Sequence, residues 1–244
     1  MSFDQKILII RFSSIGDIVL TTSPLKTIRN RFPNAQISYV TLEHFAPLLE
    51  FHPDIDRLIP LSKNMTGTNL WEFSDYIRKQ NYSTIFDLHN SLRSNIITFR
   101  TTRPVLQLKK PRWNRFMLFQ FHQNIFDDDF STRKMYHEHL GKIWQKDDEI
   151  PNTSLKVTNH EKNEAIRFVG KDSYITLIPG AAWGQKQWSS DKYIELIQDI
   201  NMSVVLLGEK KDKICFQIAN KVPSITNLAG KTSLRQALAI LSNS

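Results

Sequence analysis

Three short stretches hold residues whose types and order suit chemistry. The first is Ser13-Ser14-Ile15-Gly16-Asp17, directly after a run of aliphatic residues. A glycine lets the chain turn sharply, and Asp17 then projects above the end of a strand. Its carboxylate can take a proton from a substrate hydroxyl as a general base. It can equally cap the helix that follows, a position aspartate fills well. Both uses call on the same oxygens, and spacing alone leaves both open. The second stretch runs Pro179-Gly180-Ala181-Ala182-Trp183-Gly184-Gln185-Lys186-Gln187-Trp188. Small residues let backbone N–H groups approach an anion closely, and Lys186 supplies the positive charge that an oligophosphate leaving group needs. A polar turn with a surface lysine is the plainer alternative. The third is Asp87-Leu88-His89-Asn90-Ser91-Leu92-Arg93-Ser94. Here His89 and Arg93 suit a sugar or an acid, unless Asn90 or Ser91 simply caps a helix and Arg93 is solvated.

Other features narrow the chemistry. Neither G-x-x-x-x-G-K-[ST] nor G-x-G-x-x-G occurs, so the two commonest phosphate fingerprints are absent and a dinucleotide-dependent oxidoreductase is disfavoured. Cys215 is the only cysteine, which excludes a disulfide framework and a thiolate zinc site. His137 and His139 have no carboxylate or thiolate cluster around them and read as surface histidines, so no metal is expected. Lys plus Arg total 32 against 24 Asp plus Glu, a formal charge of +8 that favours an anionic partner. Much of that charge lies between residues 100 and 126, where Arg100, Arg103, Lys109, Lys110, Arg112 and Arg115 occur without an acidic residue. Trp113, Phe116, Phe119, Phe121 and Phe126 are interleaved with them. Such a stretch suits nucleic acid or a lipid interface, where Arg binds phosphates and aromatic rings enter the headgroups. No apolar run reaches the ~20 residues of a spanning helix. Ile7–Ile10 is too short for a signal-peptide core, so the expected location is cytoplasmic.

The elements that position these stretches alternate. Lys6–Phe12, 36–40, 57–61 and 83–88 read as strands, with helices from Asp17 (or restarted at Ser23 with Pro24 next), at 45–51, at 70–80 and from Ser91. Helical residues continue to about Gln145. Lys146–Thr153 is polar, contains a proline and reads as a linker. A second array follows: helix 161–169, strand 174–178, helix 191–200, strand 203–208, helix 211–220, strand 225–228 and a helix from Ser233. Strand–helix alternation of this kind predicts doubly wound α/β sheets. In such sheets ligands bind beyond the C-terminal strand ends, where all three stretches fall.

In combination these segments resemble glycosyltransferase family 9, the ADP-heptose:lipopolysaccharide heptosyltransferases. The resemblance rests on Ile7–Pro24, Phe86–Ser94, Lys109–Phe116, Pro179-Gly180-Ala181 with Lys186-Gln187-Trp188, and Leu207-Gly208-Glu209, in that order. It implies a GT-B architecture of two Rossmann-like domains: residues 1–150 for the acceptor and 151–244, incomplete, for the nucleotide-sugar. It implies Asp17 as catalytic base and Lys186, Gly180, Ala181 and Glu209 on the donor. Ser14, Gly16, His89, Arg93, Arg112 and Arg115 would face the acidic inner-core acceptor. The reaction would be inverting, with an ADP-sugar as substrate and neither cofactor nor metal. Peripheral contact with the inner face of the cytoplasmic membrane is expected, and no nucleic acid. Family members carry a D-[ST]-G-x-x-H donor motif beyond the point where this chain stops, at Asn243-Ser244, and Ala181-Ala182 lacks the hydroxyls with which such a pair donates to phosphate. The competing expectation is a non-catalytic Rossmann-like module that binds anionic lipid or nucleic acid.

Overall fold

A computed structural model describes residues 5–170 and 173–244. The chain divides into two compact units, one ending at Lys156 and one beginning at Val157.

The first unit is built on five parallel strands in the order β3-β2-β1-β4-β5. Strand β1 (Lys6–Ile10) lies at the centre, with Ile7–Ile10 all buried. It pairs on one side with β2 (Gln36–Leu42), which carries β3 (Arg57–Leu61). On the other side it pairs with β4 (Thr84–Asp87), which carries β5 (Val105–Gln107). A continuous β-branched and aliphatic run is what a strand covered on both faces requires. Leu8, Ile10, Val40, Ile59, Leu61 and Ile85 form one core with Leu70 and Ile77 of helix α2 (Gly67–Lys79) and Ile97 of α3 (Leu92–Thr98). Burial of each such side chain contributes roughly 1.5–3 kcal/mol before entropy is counted. The strand order reverses between β1 and β4, so the loops that leave these strands flank a switch point, the usual place for a ligand in an open sheet.

Helix α1 (Ile15–Arg31) does not restart at Ser23. Its N-cap is Ser14, and Pro24 lies inside the helix. Proline removes one intrahelical donor, and nearby hydroxyls turn outward to the chain instead. Ser23 Oγ donates to the Pro151 carbonyl, and Thr22 Oγ1 accepts from Ser154 N–H at 3.0 Å. The end of the segment read as a linker is thus fastened to the first unit, in line with a division at 156/157. The helix expected at 45–51 is a single 3-10 turn, Ala46–Leu49, closed by Phe51 in a left-handed conformation (φ 60°). The helical run expected up to Gln145 breaks into α4 (Arg112–Phe121), α5 (Thr132–Glu138) and a turn at Gly141–Ile143. Gly141 at φ 64° is a conformation that interrupts a helix. His137 is not a surface histidine: it is buried, with Nε2 3.1 Å from Thr27 Oγ1 and Nδ1 2.9 Å from the Arg133 carbonyl.

The second unit has three parallel strands among the described residues: β6 (Tyr174–Leu177), β7 (Ser203–Leu206) and β8 (Thr226–Asn227), in that order. Along β7 and into its loop, Val205 and Leu207 pack with Ala165 and Val169 of α6 (Asn159–Val169) and Ala239 and Ile240 of α9 (Leu234–Leu241). Val204 and Leu206 pack on the other face against Ile197 of α7 (Ser190–Asp199) and Ile214 and Ile218 of α8 (Lys213–Lys221). The two-residue period of a strand thus feeds two helical layers.

Candidate active site

Asp17 is the third residue of α1, over the reversal between β1 and β4. It is not the N-cap; it completes the cap from the other side. Ser14 N–H and Oγ–H donate to its Oδ2 at 3.4 and 3.0 Å. Arg11 Nη2 lies 2.6 Å from the same oxygen, and Tyr136 of α5 donates its hydroxyl to Oδ1 at 3.1 Å. Arg11 is 6% exposed and spends Nη1 on the Leu88 carbonyl at 2.7 Å, so its guanidinium is fixed from the loop that leaves β4. Its plane also lies over the Tyr136 ring, 5.7 Å from the centroid. Three separate elements therefore orient one carboxylate. Burial pushes the Asp17 pKa up, but the Arg11 charge, the Ser14 bonds and the Tyr136 hydroxyl together hold it below the usual carboxylate range. The Tyr136 phenol is itself raised, chiefly by burial, and stays a proton donor. Asp17 is ionised at neutral pH, and its side chain remains 35% exposed, so it can receive a proton from outside.

The β4 loop faces this carboxylate. Asp87, fully buried, accepts from the backbone N–H groups of His89 (3.1 Å) and Asn90 (2.8 Å) and from Gln107 Nε2 (3.2 Å). Asn90 adopts a left-handed backbone (φ 43°) and its amide donates to the Leu108 carbonyl at 2.6 Å. His89 is held against Phe12, ring centroids 4.8 Å apart. Burial first, then Arg11 and Lys110, push its pKa down to about 4, so it is neutral at pH 7. Its Nδ1 is buried and unpartnered among the described residues. Lys110 Nζ donates to the Asn90 carbonyl at 3.1 Å, and burial, Arg11 and Arg112 lower its pKa. Arg93 turns aside to the Lys63 carbonyl (3.0 Å) yet still acts on His89 electrostatically. Arg112 and Arg115 are exposed on the first turn of α4. Arg11 and Lys110 put positive charge beside Asp17.

Gly16 departs from the expectation of a sharp turn. It sits within α1, its φ is not positive, and a side-chain carbon there would meet nothing within 4 Å. It leaves open space beside Ser14 and Asp17.

In the second unit, Gly180 is needed for a close approach. A Cβ there would lie 2.5 Å from Asp212 Oδ2, and one at Gly208 would lie 2.9 Å from the same oxygen. That oxygen also accepts from Glu209 N–H at 2.7 Å. Asp212 thus bonds within the β7 loop and packs closely against the β6 loop at Gly180. The Asp212 carboxylate lies against Gly180 on the side a Cβ would occupy, which is what makes a glycine necessary at this turn. The Glu209 side chain points to solvent and pairs with Lys211 at 2.7 Å. Ala181 is half-buried beside Gly180. Lys186 ends the 3-10 turn Gly184–Lys186, exposed, and its ammonium has no hydrogen bond or ion pair among the described residues.

Sequence reasoning gave no site role to Arg11, Tyr136, Lys110 or Asp212, although Arg11 and Lys110 lie in the segments that carry the resemblance. Arg11 carried a signal: a charge that directly continues a buried strand must have a partner. Tyr136 carried none, since 119 residues separate it from Asp17.

The sequence pattern of glycosyltransferase family 9 (heptosyltransferase) matches residues 70–244. The chain belongs to glycosyltransferase family 9. Lipopolysaccharide heptosyltransferase 2 of Salmonella typhimurium is 25% identical over 97% of this chain and 74% of its own length. Its counterpart from Escherichia coli is 24% identical over the same shares. The family 9 chain thus spans about three quarters of the length of these relatives. Among solved structures, a glycosyltransferase family 9 protein from Veillonella parvula matches with a TM-score of 0.80 at 20% identity, over 100% of this chain and 75% of that one. ADP-heptose LPS heptosyltransferase II of E. coli matches with 0.75 at 23%, over 98% and 76%. These likenesses show the parallel α/β fold of the family. Among the described residues no helix of this glycosyltransferase is long and apolar enough to cross a membrane.

Proposed function

We propose that this glycosyltransferase moves a heptose, with inversion, from ADP-heptose to the lipopolysaccharide inner core. The first unit takes the acceptor and the second the donor, in a GT-B arrangement. The acceptor hydroxyl gives its proton to Asp17, and its oxygen bonds to the anomeric carbon. The bond from that carbon to the diphosphate breaks, and ADP leaves with the electron pair. Lys186 and the backbone amides after Gly180 meet the charge that develops on ADP. Arg93, Arg112 and Arg115, with Lys110, meet acidic groups of the acceptor; His89, neutral, accepts or donates a single hydrogen bond to a sugar hydroxyl. The donor is a substrate, and no cofactor is assigned. The reaction belongs in the cytoplasm, at the membrane face that carries the acceptor.

The observation that carries this reading is the Asp17 carboxylate, ionised and oriented by Arg11, Ser14 and Tyr136. The names of the family relatives support the acceptor and the sugar. Asp17→Ala should cost roughly 10²–10⁴-fold in kcat while calorimetry still detects ADP-sugar binding. Near-wild-type turnover in that variant would remove Asp17 as the base. A module that only binds anionic lipid or nucleic acid would leave the ordering of Asp17 without a use.

A further inference from the structure

Helix α4 contains no buried residue. Trp113 is 64% and Phe119 79% exposed, and Phe116, Leu118 and Phe121 are exposed beside them. Apolar side chains scattered singly on a surface need no explanation, but a contiguous patch marks an interaction site. This patch is ordered. Trp113 stacks on Phe116 at 5.5 Å, and Phe116 meets Phe121 edge-on at 5.8 Å. The helix is pinned from behind, where Asn114 donates to the Ile125 carbonyl at 3.1 Å, and His122 ends it in a left-handed conformation.

Charge selects the partner. Lys109, Lys110, Arg112 and Arg115 sit at the start of the helix, and no acidic residue occurs from 100 to 126; Asp127-Asp128-Asp129 closes the stretch. Aromatic rings that read single-stranded nucleic acid present free faces to the bases. Here Trp113 and Phe116 use faces on each other, while their apolar bulk points outward. That suits insertion among lipid headgroups, with the exposed Lys109 at the start of the stretch on lipid phosphates.

We propose that α4 is an interfacial helix that docks the protein on an anionic phospholipid bilayer. This extends the membrane-side placement proposed above to a defined element, but it requires no sugar transfer. The test is co-sedimentation of the full chain with vesicles of phosphatidylcholine and phosphatidylglycerol, against phosphatidylcholine alone. Binding is expected to the mixed vesicles only. Trp113→Ala combined with Phe119→Ala should weaken it roughly tenfold or more, whereas Phe168→Ala, an exposed ring of the second unit, should not. Both side chains are exposed, so the double variant should keep its circular dichroism and its turnover on a soluble, deacylated acceptor. The proposal fails if the wild type ignores anionic vesicles, if removing the rings leaves binding unchanged, or if duplex DNA competes through the same rings. Vesicle binding without any turnover would overturn the transfer reading and leave this one standing.

Discussion

Asp17 has more partners than a helix cap needs, and their order of strength sets testable pH behaviour. Its pKa is depressed mainly by Arg11, then by Ser14 and Tyr136, against the upward push of burial. The base must be ionised to accept a proton, so the acid limb of kcat/KM should lie below the ordinary aspartate range. Tyr136→Phe deletes one donor to the carboxylate without opening a large cavity. It should raise that limb and lower kcat at neutral pH by roughly 3–30-fold; an unmoved limb would detach Tyr136 from the base. The sign for stability follows. A depressed pKa contributes stability above the ordinary value that is lost as pH falls through the folded one. Lys186→Ala should cost roughly 10–100-fold in turnover with a higher donor KM, and unchanged kinetics would take Lys186 out of the site. At this scale residue type and strand-end position were enough to single out Asp17 and His89, which the fold brings to neighbouring loops, while the donor role of Lys186 rests on the proposed function. Tyr136 and Asp212 were not legible, because their roles exist only through partners distant in the chain or hidden by a glycine.

Between elements, the ion pair joining α6 to α9 is a clear pH sensor. Arg235 Nε and Nη2 reach Glu161 at 2.7 and 2.5 Å, and Glu161 also accepts from Thr158 N–H at 2.8 Å. The Arg235 bond leads in holding Glu161 down to about 2. Its contribution, about 1–2 kcal/mol after solvent screening, is present above pH ~4.5 and is lost as pH falls towards 2. Glu161→Gln should therefore lower the melting point at pH 7 and converge on wild type near pH 2, a comparison for differential scanning calorimetry. Gly180→Ala should destabilise the second unit by about 1–3 kcal/mol, since the new methyl meets the Asp212 carboxylate; an unchanged denaturant midpoint would deny that close approach. Element types were mostly legible from the apolar period. The ends were less so: Ser23-Pro24 resembles a helix start, yet the Thr22 and Ser23 hydroxyls just before the proline donate to the Val19 and Pro151 carbonyls and the helix runs on.

For the molecule as a whole, the alternation of strands and helices announced parallel sheets, and the polar run before Thr153 announced two units. The reversal of strand order between β1 and β4 was beyond reach, because register across 77 residues is decided by packing, as in the Arg11 bond to the Leu88 carbonyl. The fastening of residues 151–154 was equally hidden, since it depends on Thr22, Ser23 and a third contact, Ser154 Oγ to His52 Nε2 at 3.4 Å. That clasp has a practical outcome for anyone who dissects the gene. A recombinant first half cut after residue 150 would strip three polar side chains of their mates, whereas one cut after 156 would retain them, and the longer product should melt several degrees higher.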